Sequence, residues 1–358
     1  MKRHPALSRD RRNSGRRHGA RGMTLIELLI ALALTLLLTG AAALVTVNSK
    51  GVLRENAAIA RVQDNARFAI DSITHDLRMA GFGGCTGGAT VPTSVLTTGA
   101  GYSYSYTASS QVQGYTVSGS TYVPSLDTSL TALTHPPSNL SDVLSLRIPT
   151  GDPVGVIAVM ASSTAPINIG AASGLANGDI VLAANCTKSV LFQITADPSA
   201  GTVSHAASGL NGSADLGAAF GTDASLYHMT ARSYFVATSA VHPGVNSLWT
   251  YSVANATAPA PQELVEGVDA IALMFGEDTN GDGIPDVYET AASVGNWANV
   301  IEVRVQLLMS SVQNNVALTN SSAAAVSWSM INGRSWSFTD GRFHTIVNST
   351  VSLRNRVS

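Results

Sequence analysis

The chain has 358 residues and a formal charge of −2, enough length to bury a real core as one large domain with an appendage or as two small domains. That charge is unevenly spread: residues 1–22 hold eight basic side chains against one acid, Asp10, and the remainder holds 13 basic and 22 acidic residues, a net −9. A mildly acidic body argues against nucleic acid as its partner, and the basic tail is a separate object.

The first predicted element is a membrane-spanning helix. No charge interrupts residues 28–47, which are mostly Leu, Ile, Ala and Val, and about twenty such residues cross a hydrocarbon core. The basic segment then stays cytoplasmic, and everything after Val47 lies outside the inner face of the inner membrane. A removable secretory signal would carry its small-residue cleavage site after the apolar run, whereas Gly22 precedes it. A plain signal anchor explains the charge and the run but gives no reason for Glu27, an ionisable group at the mouth of the span that needs a partner. Cutting between Gly22 and Met23 supplies one, because the α-amino group of Met23 then lies one helical turn from Glu27 and can pair with it between neighbouring subunits. Gly22-Met23-Thr24-Leu25-Ile26-Glu27-Leu28 resembles the type IV prepilin processing site: glycine before the scissile bond, an apolar residue after it, glutamate fifth in the mature chain. The resemblance implies cleavage by a prepilin peptidase, N-methylation of Met23 and insertion of the helix into a pilus, with Glu27 as the subunit-assembly residue. The leader is longer than many in that family.

The helix is expected to continue to about Ala80. Ile59, Val62, Ala66, Ala69, Ile70, Ile73, Leu77 and Ala80 recur at three- and four-residue steps, an apolar face for a head domain. Arg61, Asp64, Arg67, Asp71, Asp76 and Arg78 form the polar side, facing solvent or neighbours. Gly40 and Gly51 are candidates for local unwinding or for close helix packing, and Gly81, Gly83 and Gly84 punctuate the end. Leader (1–22), long helix (23–80) and head (81–358) are the expected divisions.

Beyond Gly84 the predicted elements are strands at 143–148, 180–182, 190–194, 234–236 and 271–275, and a final one at 345–353. Residues 301–307 alternate strictly, which predicts one dry and one wet face. The Ser/Thr/Tyr/Gly-rich stretch 86–140 reads as long surface loops or irregular edge strands. One long helix carrying a mostly antiparallel β head is an α+β arrangement. Two cysteines, Cys85 and Cys186, both fall beyond the span; an oxidising periplasm favours a disulfide, with two free buried thiols as the alternative.

"DTNGDGIPDVYE", from Asp278, follows the twelve-residue calcium loop: Asp278, Asn280 and Asp282 at positions 1, 3 and 5, Gly283 at the sharp turn, then the carbonyl of Ile284, Asp286 and Glu289. Many flexible oxygens favour structural Ca2+ over magnesium. Pro285 departs from the pattern, and the alternating stretch before the loop argues against a helix–loop–helix pair. The alternative is an acidic turn. The eight histidines are scattered without zinc-ligand spacing, and no nucleophile motif or phosphate loop is present, so no enzyme is expected.

"NARFAIDSITHDLRMAGFGGC" (from Asn65), "SDVLSLRI" (from Ser141), "QELVEGVDAI" (from Gln262), the acidic loop and "STVSLRNR" (from Ser349) together resemble long minor pilins of the PilW family, with residues 86–140 poorly covered. The family resemblance implies a type IV pilin-like fold and a low-abundance subunit that joins other minor pilins and the major pilin to prime pilus assembly, supporting adhesion and twitching motility. A minor pseudopilin of a type II secretion system and a calcium-dependent tip adhesin are the alternatives.

Overall fold

The computed structural model describes residues 22–85, 92–97, 111–171, 173–254, 260–314 and 326–356. Residues 1–21 of the basic leader, and 86–91 and 98–110 of the Ser/Thr-rich stretch, lie outside the described residues. Helix α1 (Leu25–Met79) is followed by β1 (Thr93–Ser94), β2 (Val112–Ser118), β3 (Thr121–Val123), a short helix α2 (Thr128–Thr131), β4 (Val143–Ala158), β5 (Ile167–Ile169), β6 (Ile180–Ala184), β7 (Ser189–Gln193) and β8 (Thr202–Val203). Then come β9 (Ser225–Thr238), β10 (Asn246–Val253), β11 (Gln262–Glu266), β12 (Val268–Glu277), β13 (Val287–Glu289), β14 (Val300–Ser310), β15 (Val326–Ser329), β16 (Ser335–Phe338) and β17 (His344–Ser352). This is an α+β protein with a long N-terminal helix and mostly antiparallel sheets. It divides into two compact units, Met1–Leu53 and Arg54–Ser358, so α1 contributes to both.

In the first unit, α1 starts on Thr24, whose hydroxyl accepts the N–H of Glu27 at 3.3 Å and satisfies one of the orphan donors of the first turn. Residues 25–50 are all exposed, including every Leu of the apolar run. Thr35, Thr39 and Thr46 turn their hydroxyls back onto the carbonyls of Ala31, Thr35 and Ala42, at 2.6, 2.7 and 2.8 Å. Their polar atoms are therefore satisfied without water, as a lipid environment demands. The helix runs unbroken through Gly40 and Gly51. A cost of about 1 kcal/mol per glycine does not break a helix whose neighbouring turns all remain hydrogen-bonded.

In the second unit the rest of α1 buries Ala58, Val62, Ala66, Ala69, Ile73 and Leu77, with Ala80 just beyond. Four of these are alanines, so the helix backbone can approach the sheet closely. The stripe packs on Val268, Ile271, Leu273 and Phe275 of β12, on Val303, Val305, Leu307 and Met309 of β14 and on Val351 of β17. Leu144, Leu146 and Ile148 of β4 and Tyr234 and Val236 of β9 belong to the same core.

Two sheets share that core. The larger follows the order β1-β7-β6-β9-β4-β2-β3, with β10 and β11 added at β9 and β5 and β8 at β4. The smaller has the order β13-β12-β14-β17. A separate hairpin, β15–β16, covers part of it. This hairpin corrects the expected wet face of β14: Glu302 and Arg304 do point outward, but Gln306, Leu308 and Ser310 are buried. Trp328, Met330, Trp336 and Phe338 form an apolar lid over Leu308, Ala270 and Ala272. A second correction concerns residues 112–118, expected among loops or edge strands, because β2 is largely buried and pairs with β4. Gly114 makes that possible, since a side chain there would overlap the Phe275 ring.

The sheets meet at Ser141-Asp142, the start of the "SDVLSLRI" segment. Asp142 donates its N–H to the carbonyl of Ile271 at 3.0 Å, and the Ser141 hydroxyl accepts the N–H of Ile271 at 2.8 Å. The Asp142 carboxylate accepts the N–H of Leu273 at 2.9 Å and the Asn332 amide at 3.0 Å. The outer edge of β12 is thus sealed by two side chains rather than by another strand. Burial pushes the Asp142 carboxyl up to about 6, against which these hydrogen bonds and nearby Arg334 act.

Because the folded state holds that proton more tightly than the unfolded chain, the Asp142 contribution is greatest below the ordinary carboxylate pKa and declines as pH rises through about 6. The protein should therefore lose roughly 2–3 kcal/mol of this contribution between pH 4 and 6. Asp142→Asn should not lose it. Denaturant unfolding of both proteins across that range checks this, and parallel stability curves would contradict it.

Candidate functional site

The residues singled out in the sequence occupy three places. Gly22, Met23 and Glu27 are exposed at the head of α1. Among the described residues the Glu27 carboxylate has no hydrogen bond or ion pair, while its backbone N–H serves the Thr24 cap. The spacing Thr24-x-x-Glu27 is therefore a helix-start signal as well as part of the processing motif, and an acid in the first turn also suits the helix dipole. Met23 stands four residues before Glu27, just ahead of the first helical residue, Leu25. Position 23 and the Glu27 carboxylate thus lie at the same end of an otherwise apolar rod.

Cys85 and Cys186 are joined in a disulfide, with their Cα atoms 4.7 Å apart across 101 residues. Cys85 follows the exit of α1, and Cys186 sits in the turn between β6 and β7. Gly84, at φ +88°, lets the chain reach that turn, because an added Cβ would overlap the Cβ of Ala184. A closed loop of this size is worth up to about 4–5 kcal/mol by restricting the unfolded chain.

The acidic segment is the loop between β12 and β13, flanked by strands. Its ends are pinned by Asp278 N–H to the Asn299 carbonyl and by Asp286 N–H to the Glu277 carbonyl, each 2.9 Å. Gly281 and Gly283 take positive φ, 79° and 82°, where a side chain would be strained. The Asp278 carboxylate accepts the N–H groups of Gly281 at 2.6 Å and Gly283 at 2.8 Å. Asp282 accepts the Ile284 N–H at 2.8 Å. The Asn280 amide nitrogen stands between Asp282, at 3.2 Å, and Asp286, at 3.1 Å. Asp286 also accepts the hydroxyl and the N–H of Thr279 at 2.7 and 2.8 Å, which hold its carboxyl below the usual range. Pro285, the departure from the calcium-loop pattern, lies against Gly276.

Among the described residues none of the four carboxylates has a Lys, Arg or His partner. Nor do three of them converge on one point, and Glu289 stands in β13 opposite Phe275. The chemistry of the set, oxygen donors in the calcium-loop order on a loop bent by two left-handed glycines, fits a hard cation. Asp278, Asn280, Asp282, Asp286, Glu289 and the Ile284 carbonyl would hold it.

One important side chain was misread in the sequence. Asp76, assigned to the polar side of the helix, is 4% exposed. Its Oδ2 accepts the Tyr234 hydroxyl at 2.6 Å and an Arg232 N–H at 2.8 Å, and Arg232 donates a further hydrogen bond to Ser252 at 3.0 Å. Burial, then the neighbouring Asp76 charge, raises the Tyr234 phenol far above its ordinary value. The signal was present: Asp76 lies three residues after Ile73 and four before Ala80, on the buried stripe. His75 beside it is exposed.

Residues 17–43 match the family model for the prokaryotic N-terminal methylation motif, and residues 233–355 match the model for type IV pilus-assembly protein W. With the exposed apolar helix and the antiparallel head, these matches support a type IV pilin-like protein, and pilin-family matches indicate a structural protein. Within that class the second match, running from the middle of β9 through β17, supports a PilW-like type IV pilin. Neither a curated protein nor a solved structure matches the chain. The methylation motif and the apolar helix fit a membrane-anchored pilin.

Proposed function

We propose that this chain is a minor pilin that primes assembly of a type IV pilus. It is inserted once through the inner membrane with its basic leader cytoplasmic, and prepilin peptidase cuts it between Gly22 and Met23. The mature chain, N-methylated at Met23, then enters a complex with other minor pilins and the major pilin. Adhesion and twitching motility follow from the fibre. The observation that carries this reading is the union, in one unbroken helix, of a capped Thr24/Glu27 start, an exposed apolar half and a half packed on a β head. The match to a pilus-assembly family over the second half of the head favours the pilus over a secretion pseudopilin.

In this scheme Glu27 recruits the amino terminus of a neighbouring subunit, since an unpaired carboxylate in an apolar bundle is costly and the liberated amine is the complementary charge. Glu27→Gln keeps the backbone cap on Thr24 and removes only the charge. The variant should be processed normally but enter sheared fibres at least about tenfold less, a difference of ~1.4 kcal/mol. Quantitative immunoblotting of membrane and fibre fractions measures this, and undiminished entry into fibres refutes the pairing.

We further propose that Ca2+ binds the loop between β12 and β13 and stiffens it, relieving the mutual repulsion of its carboxylates. Saturating calcium, at about 100 times the dissociation constant, should stabilise the protein by ~2.7 kcal/mol over the chelated state. Asp278→Ala should abolish the difference. Thermal melts with and without chelator decide it: identical melting temperatures for the unaltered protein mean that calcium has no structural role there.

A further inference from the structure

A sheet edge offers unpaired N–H and C=O groups, and proteins blunt such edges with short strands, charges, proline or bulges. Among the described residues most terminal strands here obey that rule. β1 and β8 have two residues each, and β3 and β13 have three. β11 has five, two of them glutamates. The exposed side of β12 is sealed by Ser141 and Asp142.

β17 breaks the rule. It is a nine-residue strand at the end of its sheet, among the described residues paired only with β14. From Thr345 to Ser352 it contains no charge and no proline, and its nine pairs with β14 run without a bulge.

The register shows which groups are free. Leu353 donates to Ile301 and Ser311 donates to Phe343, both directly opposed pairs in the β14–β17 register. Antiparallel pairs alternate between bonded and non-bonded, so Thr345, Val347, Ser349 and Val351 bond to β14. The N–H and C=O groups of Ile346, Asn348, Thr350 and Ser352 therefore point away from it, and among the described residues none of them has a partner. On the same face the side chains of Asn348, Thr350 and Ser352 are exposed. The charges on the neighbouring strand β14 are already engaged: Arg304 lies over the Tyr288 ring and 4.0 Å from Glu302, which accepts the Tyr288 hydroxyl.

We propose that β17 is a docking edge that takes an extended, uncharged strand from a different subunit, extending the small sheet by one strand. Main-chain hydrogen bonds supply the affinity, and the absence of charge along the edge selects an uncharged strand. The choice of a different subunit rests on the pilus reading. Subunits added with one polarity meet through unlike surfaces, whereas a twofold β17–β17 pair would close on itself and stop growth.

The test is hydrogen exchange on the full chain, in detergent and in isolated fibres. Amides of Ile346, Asn348, Thr350 and Ser352 should exchange freely in detergent and slow by at least about tenfold in fibres, while those of Val347, Ser349 and Val351 are slow in both. Thr350→Pro removes one outward donor without touching the bonds to β14, so it should enter fibres less than Thr350→Ala. Unprotected amides in fibre-bound protein overturn the proposal, as does equal entry of the two variants. An Asn348→Cys disulfide between two copies of this chain overturns the different-subunit assignment. A correctly processed chain that never enters fibres refutes the pilus reading instead, and this proposal falls with it.

Discussion

The constraint on which the rest of the structure depends is that a single helix must satisfy two surroundings. Residues 25–53 of α1 present apolar side chains on every face, and their threonines bond inward. From Ala58 onward the same helix narrows its apolar content to one stripe, which vanishes against β12, β14 and β17. No interruption marks the change, and only the distribution of apolar residues around the helix does so. The first half needs lipid or other helices to cover it. The second carries its cover with it.

Rigid attachment of the second half comes from polar groups at the seams. Asp76 fixes the rotation of the helix by taking hydrogen bonds from Tyr234 and Arg232, two residues of β9. A purely apolar stripe would tolerate sliding or rotation, whereas a buried carboxylate with two specific donors has one good position. Asp142 does the corresponding work between the sheets, supplying to β12 the acceptor that a neighbouring strand would otherwise provide. The disulfide then closes the path from helix exit to the β6–β7 turn. Among the described residues the far edge of the small sheet, β17, keeps a long row of main-chain groups open.

Much of this was legible in the residues. The apolar run, the stripe from Ile59 to Ala80 and the strict alternation at the start of β14 are periodic signals, and periodicity survives without tertiary information. The cysteine pairing followed from there being only two, both beyond the span. What stayed hidden depends on partners distant in sequence. Gln306 and Leu308 look alike whether the outer face of β14 is wet or covered, and the covering hairpin arrives from Trp328 and Trp336. β2 read as a loop because Gly114 and its polar neighbours weaken the strand signal, yet that glycine is what admits the Phe275 ring. Asp76 reads as part of the polar side, facing solvent or neighbours, by its charge rather than its position. The processing motif and the acidic loop were visible because each is local, its chemistry set by spacing along a few residues.

At the centre of the account is conversion of an anchored precursor into a subunit whose new amine faces an acidic side chain at the end of an apolar rod. Mass spectrometry of the amino terminus of the protein recovered from cell envelopes tests this most directly. The account predicts a chain beginning at Met23 and bearing an N-methyl group. A protein that still carries the arginine-rich residues ahead of Gly22 would contradict it.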